Sequence, residues 1–326
     1  MKDIKVRLKS AIILLLILIP FLFVVYYGKI SGKIIGIVFY SIISTWAVYE
    51  VISHRILKKW ESIIIAISSV LIWLMPLDWF LNQPSQIETN SFLNLASNTG
   101  INAASLIAQI KETLFFGYDS ITKFRVLQLL ILITLISFIY IIELFVSKAK
   151  LKRKINSYLI VLFVTWFIPL AFKTIFVFNA ANIYLLFAMV TIPIFTDSMA
   201  YVGGSLIGRK IIKRGFAPTI SPKKSWEGVI IGFISGAIFV FITMYLGHLT
   251  KSNEIFRVFS NWKQLVVGLI VLPIASIVGD LIFSGIKRIL GIKDFSNLIP
   301  GHGGFMDRFD SMSLVAISLA AILLIK

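Results

Sequence analysis

Long apolar runs decide what this chain can fold into. Ala11–Tyr27 and Ile131–Val146 are the clearest of them. Each approaches the ~20 residues needed to cross a ~30 Å hydrocarbon core. Lipid offers no hydrogen-bond partners, so each span must satisfy its own backbone, which leaves helices or a closed barrel. The runs are continuous rather than alternating, and that selects helices. Composition agrees: 58% of the 326 residues are hydrophobic, against roughly 45–50% in a soluble domain. The expected fold is an all-α polytopic membrane protein with about nine transmembrane helices. They are placed at 11–27, 34–52, 62–81, 126–146, 156–173, 183–207, 227–247, 264–286 and 311–325.

Charge then orients the chain. The net charge is +17. In a soluble protein that would raise nucleic acid as a partner, but no basic, aromatic-interleaved soluble domain exists here, so none is expected. With the N-terminus inside, the inside segments are 1–10, 53–61, 147–155, 208–226 and 287–310. They hold 22 of the 32 Lys and Arg residues, a clear positive-inside bias. Nine spans put the C-terminus outside. Lys2, Lys5, Arg7 and Lys9 resemble the start of a signal peptide. The following apolar run is too long and lacks a small-residue cleavage site, so it reads as a retained first span. The expected location is the cell membrane, with the functional loops on the cytoplasmic side.

Three regions are expected. Residues 1–125 form N-terminal spans plus a long external loop, 82–125, with an interfacial helix near 101–116. Residues 126–207 form middle spans that end in a cluster around Asp197. Residues 208–326 carry a catalytic region with a loop at 284–310. The chain has no cysteine, which removes disulfides and thiolate chemistry. Its three histidines, His54, His248 and His302, are scattered.

Unusual polar residues concentrate between 197 and 310. The stretch Ser284–Asp310 reads SGIKRILGIKDFSNLIPGHGGFMDRFD. It mixes Asp294, Asp307 and Asp310 with Lys287, Arg288, Lys293 and Arg308, and Asp280 lies just upstream. Carboxylates suit hard cations such as Mg²⁺. Lysine and arginine suit phosphate oxygens. Asp280, Ser284 and Lys287 fall at i, i+4 and i+7, one face of a helix. A carboxylate within a span is costly and marks a functional site by default. The glycines of Pro300-Gly301-His302-Gly303-Gly304 permit a tight turn whose N–H groups can approach a ligand. Asp197 is a second intramembrane carboxylate, followed by Gly203, Gly204 and Gly208. Ser221-Pro222-Lys223-Lys224-Ser225 opens another span, where a helix N-terminus and two lysines could clamp phosphate.

These residues resemble the signature of the phosphatidate cytidylyltransferases, the CDP-diacylglycerol synthases. Ser284, Lys287, Arg288, Lys293, Asp294, Pro300, His302, Gly303, Gly304, Asp307, Arg308 and Asp310 match every fixed position of that pattern. The Asp197 and Ser221–Gly228 segments are similar to further family motifs in the same order. The resemblance is firm from Asp197 onward; residues 1–180 share only the multi-span character, and 82–125 is long for the family. It implies transfer of CMP from CTP to phosphatidic acid, with pyrophosphate released. It also implies Mg²⁺ held by Asp280 and Asp307, Lys287 on phosphate, a possible K⁺ site and a homodimer. The expected catalytic set is Asp280, Lys287, Asp307 and Asp310. The expected substrate contacts are Asp197, Lys223, Lys224, Ser225, Ser284, Arg288, Lys293, Asp294, His302, Gly303, Gly304 and Arg308. A CTP-dependent polyprenol- or dolichol-type kinase should lack this full signature. A multi-span transporter would explain Asp197 and Asp280, but not the mixed charged loop.

Overall fold

A computed structural model describes residues 2–54, 57–74, 121–146, 151–245, 258–259, 261–298, 303–323 and 325. The interfacial helix expected near 101–116 and the residues Pro300, Gly301 and His302 lie outside them. The described residues are almost entirely helical: α1 (Lys2–Tyr27), α2 (Lys29–Ile52), α3 (Lys59–Ser68), α4 (Leu71–Leu74), α5 (Ile121–Val146), α6 (Leu151–Ala181), α7 (Ile183–Ile207), α8 (Trp226–Met244), α9 (Trp262–Leu290) and α10 (Met306–Leu323). Between α7 and α8 lies an antiparallel hairpin, β1 (Gly215–Ala217) and β2 (Ser221–Ser225), which pairs Gly215 with Ser225 and Ala217 with Ser221.

Five of the helices are long and apolar enough to cross a membrane: α2, α6, α7, α8 and α9. Leu15–Tyr27 in α1 and Leu130–Ile142 in α5 are shorter apolar helical stretches. The chain is an all-α polytopic membrane protein. Many large apolar side chains face outward, such as Leu16, Ile42, Phe138 and Ile238, as a lipid solvent demands.

Two halves meet across α6. This helix packs against α1, α2, α4, α5, α7 and α10. Its 31 residues make it about 46 Å long, well beyond a bilayer core. The other half is α7, α8, α9 and α10, in which α8 packs closely on α7 and α10 on α9. Small residues let α7 and α8 approach: a Cβ at Gly232 would stand 2.7 Å from Ala200 Cβ. Local sequence explains the helix ends. Asn182, Ser225 and Asn261 accept N-terminal backbone N–H groups of α7, α8 and α9. Gly291 ends α9 in the left-handed conformation.

Four boundaries differ from expectation, one being α6, which runs to Ala181 rather than ending at 173. The expected span 62–81 is interrupted by a turn at Ser69 and Val70, between α3 and α4; residues 75–81 lie outside the described set. Helix α5 starts at Ile121, inside the expected loop 82–125. Helix α9 continues to Leu290, so Lys287 and Arg288 occupy its last turn rather than a loop.

Candidate active site

The site forms where the last three turns of α9 meet the hairpin, α7 and the start of α10. Asp280 lies on α9, half-buried. Its Oδ1 accepts from Ser284 Oγ at 3.1 Å, one turn along the same face. Its Oδ2 is 2.5 Å from Lys224 Nζ on β2. Strand alternation separates the two hairpin lysines: Lys224 turns to Asp280 while Lys223 is exposed. The expected clamp therefore reduces to one lysine inside the site. Ser225 caps α8 through Gly228 N at 3.2 Å, so its hydroxyl belongs to the helix end.

Lys287, two turns after Asp280, organises the second cluster. It is buried, and its Nζ donates to Asp307 Oδ1 at 2.8 Å. Asp310 Oδ2 lies 3.9 Å from the same ammonium. Asp307 Oδ2 accepts from Phe295 N at 3.0 Å and from Gly304 N at 2.9 Å. One carboxylate thus ties α9, the signature loop and the first turn of α10 together, and a negative charge in that first turn favours the helix. The loop needs its glycines. Gly303 has φ of +84°, and a Cβ on Gly304 would meet Ser296 N at 2.9 Å and a Glu50 carboxylate oxygen at 2.8 Å.

Asp197, on α7, accepts from Ser311 Oγ of α10 at 3.0 Å. Asp280 and Lys224 lie within Coulombic reach of it, and Asp310 is within reach of both Asp197 and Asp280. Three acidic side chains from three helices therefore lie within Coulombic reach of one another, beside Lys224 and Lys287. Opposing charges at this density, inside a membrane protein, suit a polyanionic ligand.

Other expected contacts stand further out. Lys293, Asp294 and Arg308 are exposed. Arg288 is exposed too, and its guanidinium donates to the carbonyls of Ile220 and Ile292, at 3.1 and 3.3 Å. It bolts the hairpin to the end of α9. Asp280 and Asp307, expected as a metal pair, are held by different lysines. Among the described residues no three His, Asp or Glu side chains converge as a metal cage. Both nevertheless retain capacity: a carboxylate offers about four lone-pair sites, of which Asp280 uses two and Asp307 three. Mg²⁺ is commonly bound through one or two carboxylates, water and substrate phosphates, so a full protein cage is not required.

Two residues escaped the sequence reading. Glu227, at the start of α8, accepts from the backbone N–H groups of Arg209, Ile211 and Ile212 at 2.7–3.0 Å. It shapes the turn after α7, where Arg209 has a φ of 61°. Glu50, near the end of α2, is buried and bonds to Ser296, Phe305 and Met306 of the signature loop. The rule that exposed Asp197 and Asp280, a carboxylate inside an apolar span, applied equally to Glu50.

Fold and site together define a polytopic membrane protein with a lysine–carboxylate centre where the hairpin, α7, α9 and α10 meet. The chain belongs to the cytidylyltransferase family, whose sequence profile matches residues 5–325. It is 41% identical to a phosphatidate cytidylyltransferase of Haemophilus influenzae over 121 residues, 36% of this chain and 38% of that protein. A Rickettsia felis phosphatidate cytidylyltransferase is 32% identical over 184 residues, 54% of this chain and 78% of the relative. One from Staphylococcus haemolyticus is 38% identical over 143 residues, 44% of this chain and 49% of the relative. The matched segments thus span less than two thirds of the Haemophilus and Staphylococcus proteins.

Proposed function

We propose that this protein transfers CMP from CTP to phosphatidic acid, giving CDP-diacylglycerol and pyrophosphate. The observation that carries the reading is the double lysine–carboxylate centre, Lys224–Asp280 and Lys287–Asp307–Asp310, on the signature that the chain shares with the family. A phosphate oxygen of phosphatidate bonds to the α-phosphorus of CTP. The bond from that phosphorus to the bridging oxygen breaks, and pyrophosphate leaves. The nucleophile is already an anion, so no strong general base is needed. The difficulty is bringing two polyanions together, and catalysis is positioning and charge neutralisation. Lys287 and Lys224 carry the cationic side of that task. When a substrate phosphate arrives, each can exchange part of its carboxylate contact for a phosphate oxygen. Mg²⁺, held by Asp280 and Asp307, would neutralise charge on the phosphates and orient them. Asp310 and Asp197 complete the acidic wall, and a monovalent cation such as K⁺ would find the same oxygen donors. Exposed apolar side chains along α7, α8 and α9, such as Ile194, Ile234 and Ile274, suit an approach by phosphatidate from within the bilayer.

The test is product formation by purified protein in mixed micelles with CTP, phosphatidate and Mg²⁺. CDP-diacylglycerol and pyrophosphate should appear in equal amounts. Phosphorylated polyprenol from CTP instead, with no CDP-diacylglycerol, would replace this reading with the kinase one.

We further propose that the site faces the cytoplasm from the cell membrane, on the strength of the loop charges. Because the chain has no cysteine, a single Lys210→Cys in the exposed turn before the hairpin is a clean reporter. An impermeant maleimide should label it in inverted vesicles and not in intact cells. Labelling in intact cells would turn the topology over.

A further inference from the structure

We propose that Glu50 of α2 is a positioning residue for the proposed reaction: it latches the signature loop so that Asp307 and Gly304 are held in register. Its Oε1 accepts from Phe305 N at 2.9 Å and from Ser296 Oγ, and its Oε2 accepts from Met306 N at 2.7 Å. Phe305 immediately precedes α10 and Met306 opens it, and the first N–H groups of a helix have no partner within it. A side chain normally caps such an end from its own chain neighbourhood. Here the cap comes from a residue about 250 positions away. One turn further along, His54 Nε2 donates to the Phe295 carbonyl at 2.7 Å.

The geometry shows why this matters to the site. Phe295 N and Gly304 N both donate to Asp307 Oδ2. Glu50 and His54 therefore grip the loop at the residues flanking those donors. Asp307 fixes the loop through Phe295 N and Gly304 N, and Glu50 fixes it through Ser296, Phe305 and Met306. Glu50 is only 4% exposed, so its negative charge rests on these donors and on the positive end of α10. Phe172 of α6 stacks on Phe305 and packs at a tilt against Phe309, which adds an aromatic contact to the latch. The N-terminal half thereby reaches the catalytic loop directly.

The inference rests on the proposed function, and two readouts separate them. Glu50→Gln retains size but turns an N–H donor toward N–H donors. Turnover should fall about 10- to 100-fold, the cost of a roughly 1 Å misplacement, with KM for CTP and phosphatidate within about threefold. In hydrogen exchange, peptides covering 293–309 should exchange faster, while those of α6 and mid-α9 stay as in the wild type. Glu50→Asp, which keeps the charge, should recover part of both. Unchanged exchange at 293–309 overturns the latch. Faster exchange throughout the protein also overturns it, since Glu50 would then serve general stability. So does faster loop exchange with wild-type turnover. A wild type that makes no CDP-diacylglycerol sinks the function reading, and the exchange result still decides the latch.

Discussion

Asparagine in place of Asp307 should leave the protein in the membrane and remove its turnover. The carboxylate receives three donors at once: Lys287 Nζ, Phe295 N and Gly304 N. An asparagine accepts through one oxygen only. Whichever way its amide turns, an NH₂ group faces either the two loop N–H groups or the Lys287 ammonium. That ammonium is buried, and its remaining carboxylate, Asp310, is 3.9 Å away. Breaking one partner of a buried pair costs about 3–5 kcal/mol. The loss of a fixed charge where phosphate is to be neutralised adds a rate effect of about 10²–10³-fold or more. Product formation should fall below detection, and the thermal midpoint in detergent should drop as well. Turnover within about threefold of wild type would remove Asp307 from the site.

Asp280→Asn should be as damaging to turnover and far gentler to the fold. The Lys224–Asp280 pair is partly hydrated, with side-chain exposures of 22% and 26%. Pairs so exposed contribute at most about 1 kcal/mol to stability. Neutralising Asp280 also relieves its repulsion with Asp197 and Asp310. The thermal midpoint should therefore move little while turnover falls about 10²–10³-fold. Exchanging the two residues, Lys224→Asp with Asp280→Lys, restores an ion pair but moves the carboxylate off α9 and away from Ser284. Activity should stay lost. Recovery in the exchanged protein would mean that the pair matters only as a strut between hairpin and helix.

The spans and the main polar centre were legible because both obey long-range rules that a single sequence displays. Apolar length marks helices, and carboxylates inside apolar runs mark a site. Spacing put Asp280, Ser284 and Lys287 on one face, and α9 carries all three. What stayed hidden has physical reasons. The hairpin at 215–225 has strands of three and five residues, Gly215–Ala217 and Ser221–Ser225, too short to show alternation. Helix α6 runs on past 173 because Lys173 and Asn179, which hydropathy reads as an ending, are buried against Ile72 O and Tyr40 Oη. The separate fates of Lys223 and Lys224 follow from strand alternation that the helix-start reading could not supply. Glu50 sits about 250 residues from its partners, and no local pattern joins them.

That separation shapes how the protein is made. Glu50 enters the bilayer well before Ser296 is synthesised, 246 residues later. At about 5–20 residues per second, the interval is roughly 10–50 s. Throughout it, α2 carries a carboxylate whose permanent donors do not yet exist. The contacts that join Glu50 to the start of α10 can form only once α10 is present. Closure between the two halves at Glu50 is thus a late, post-insertion event rather than one that accompanies the entry of α2.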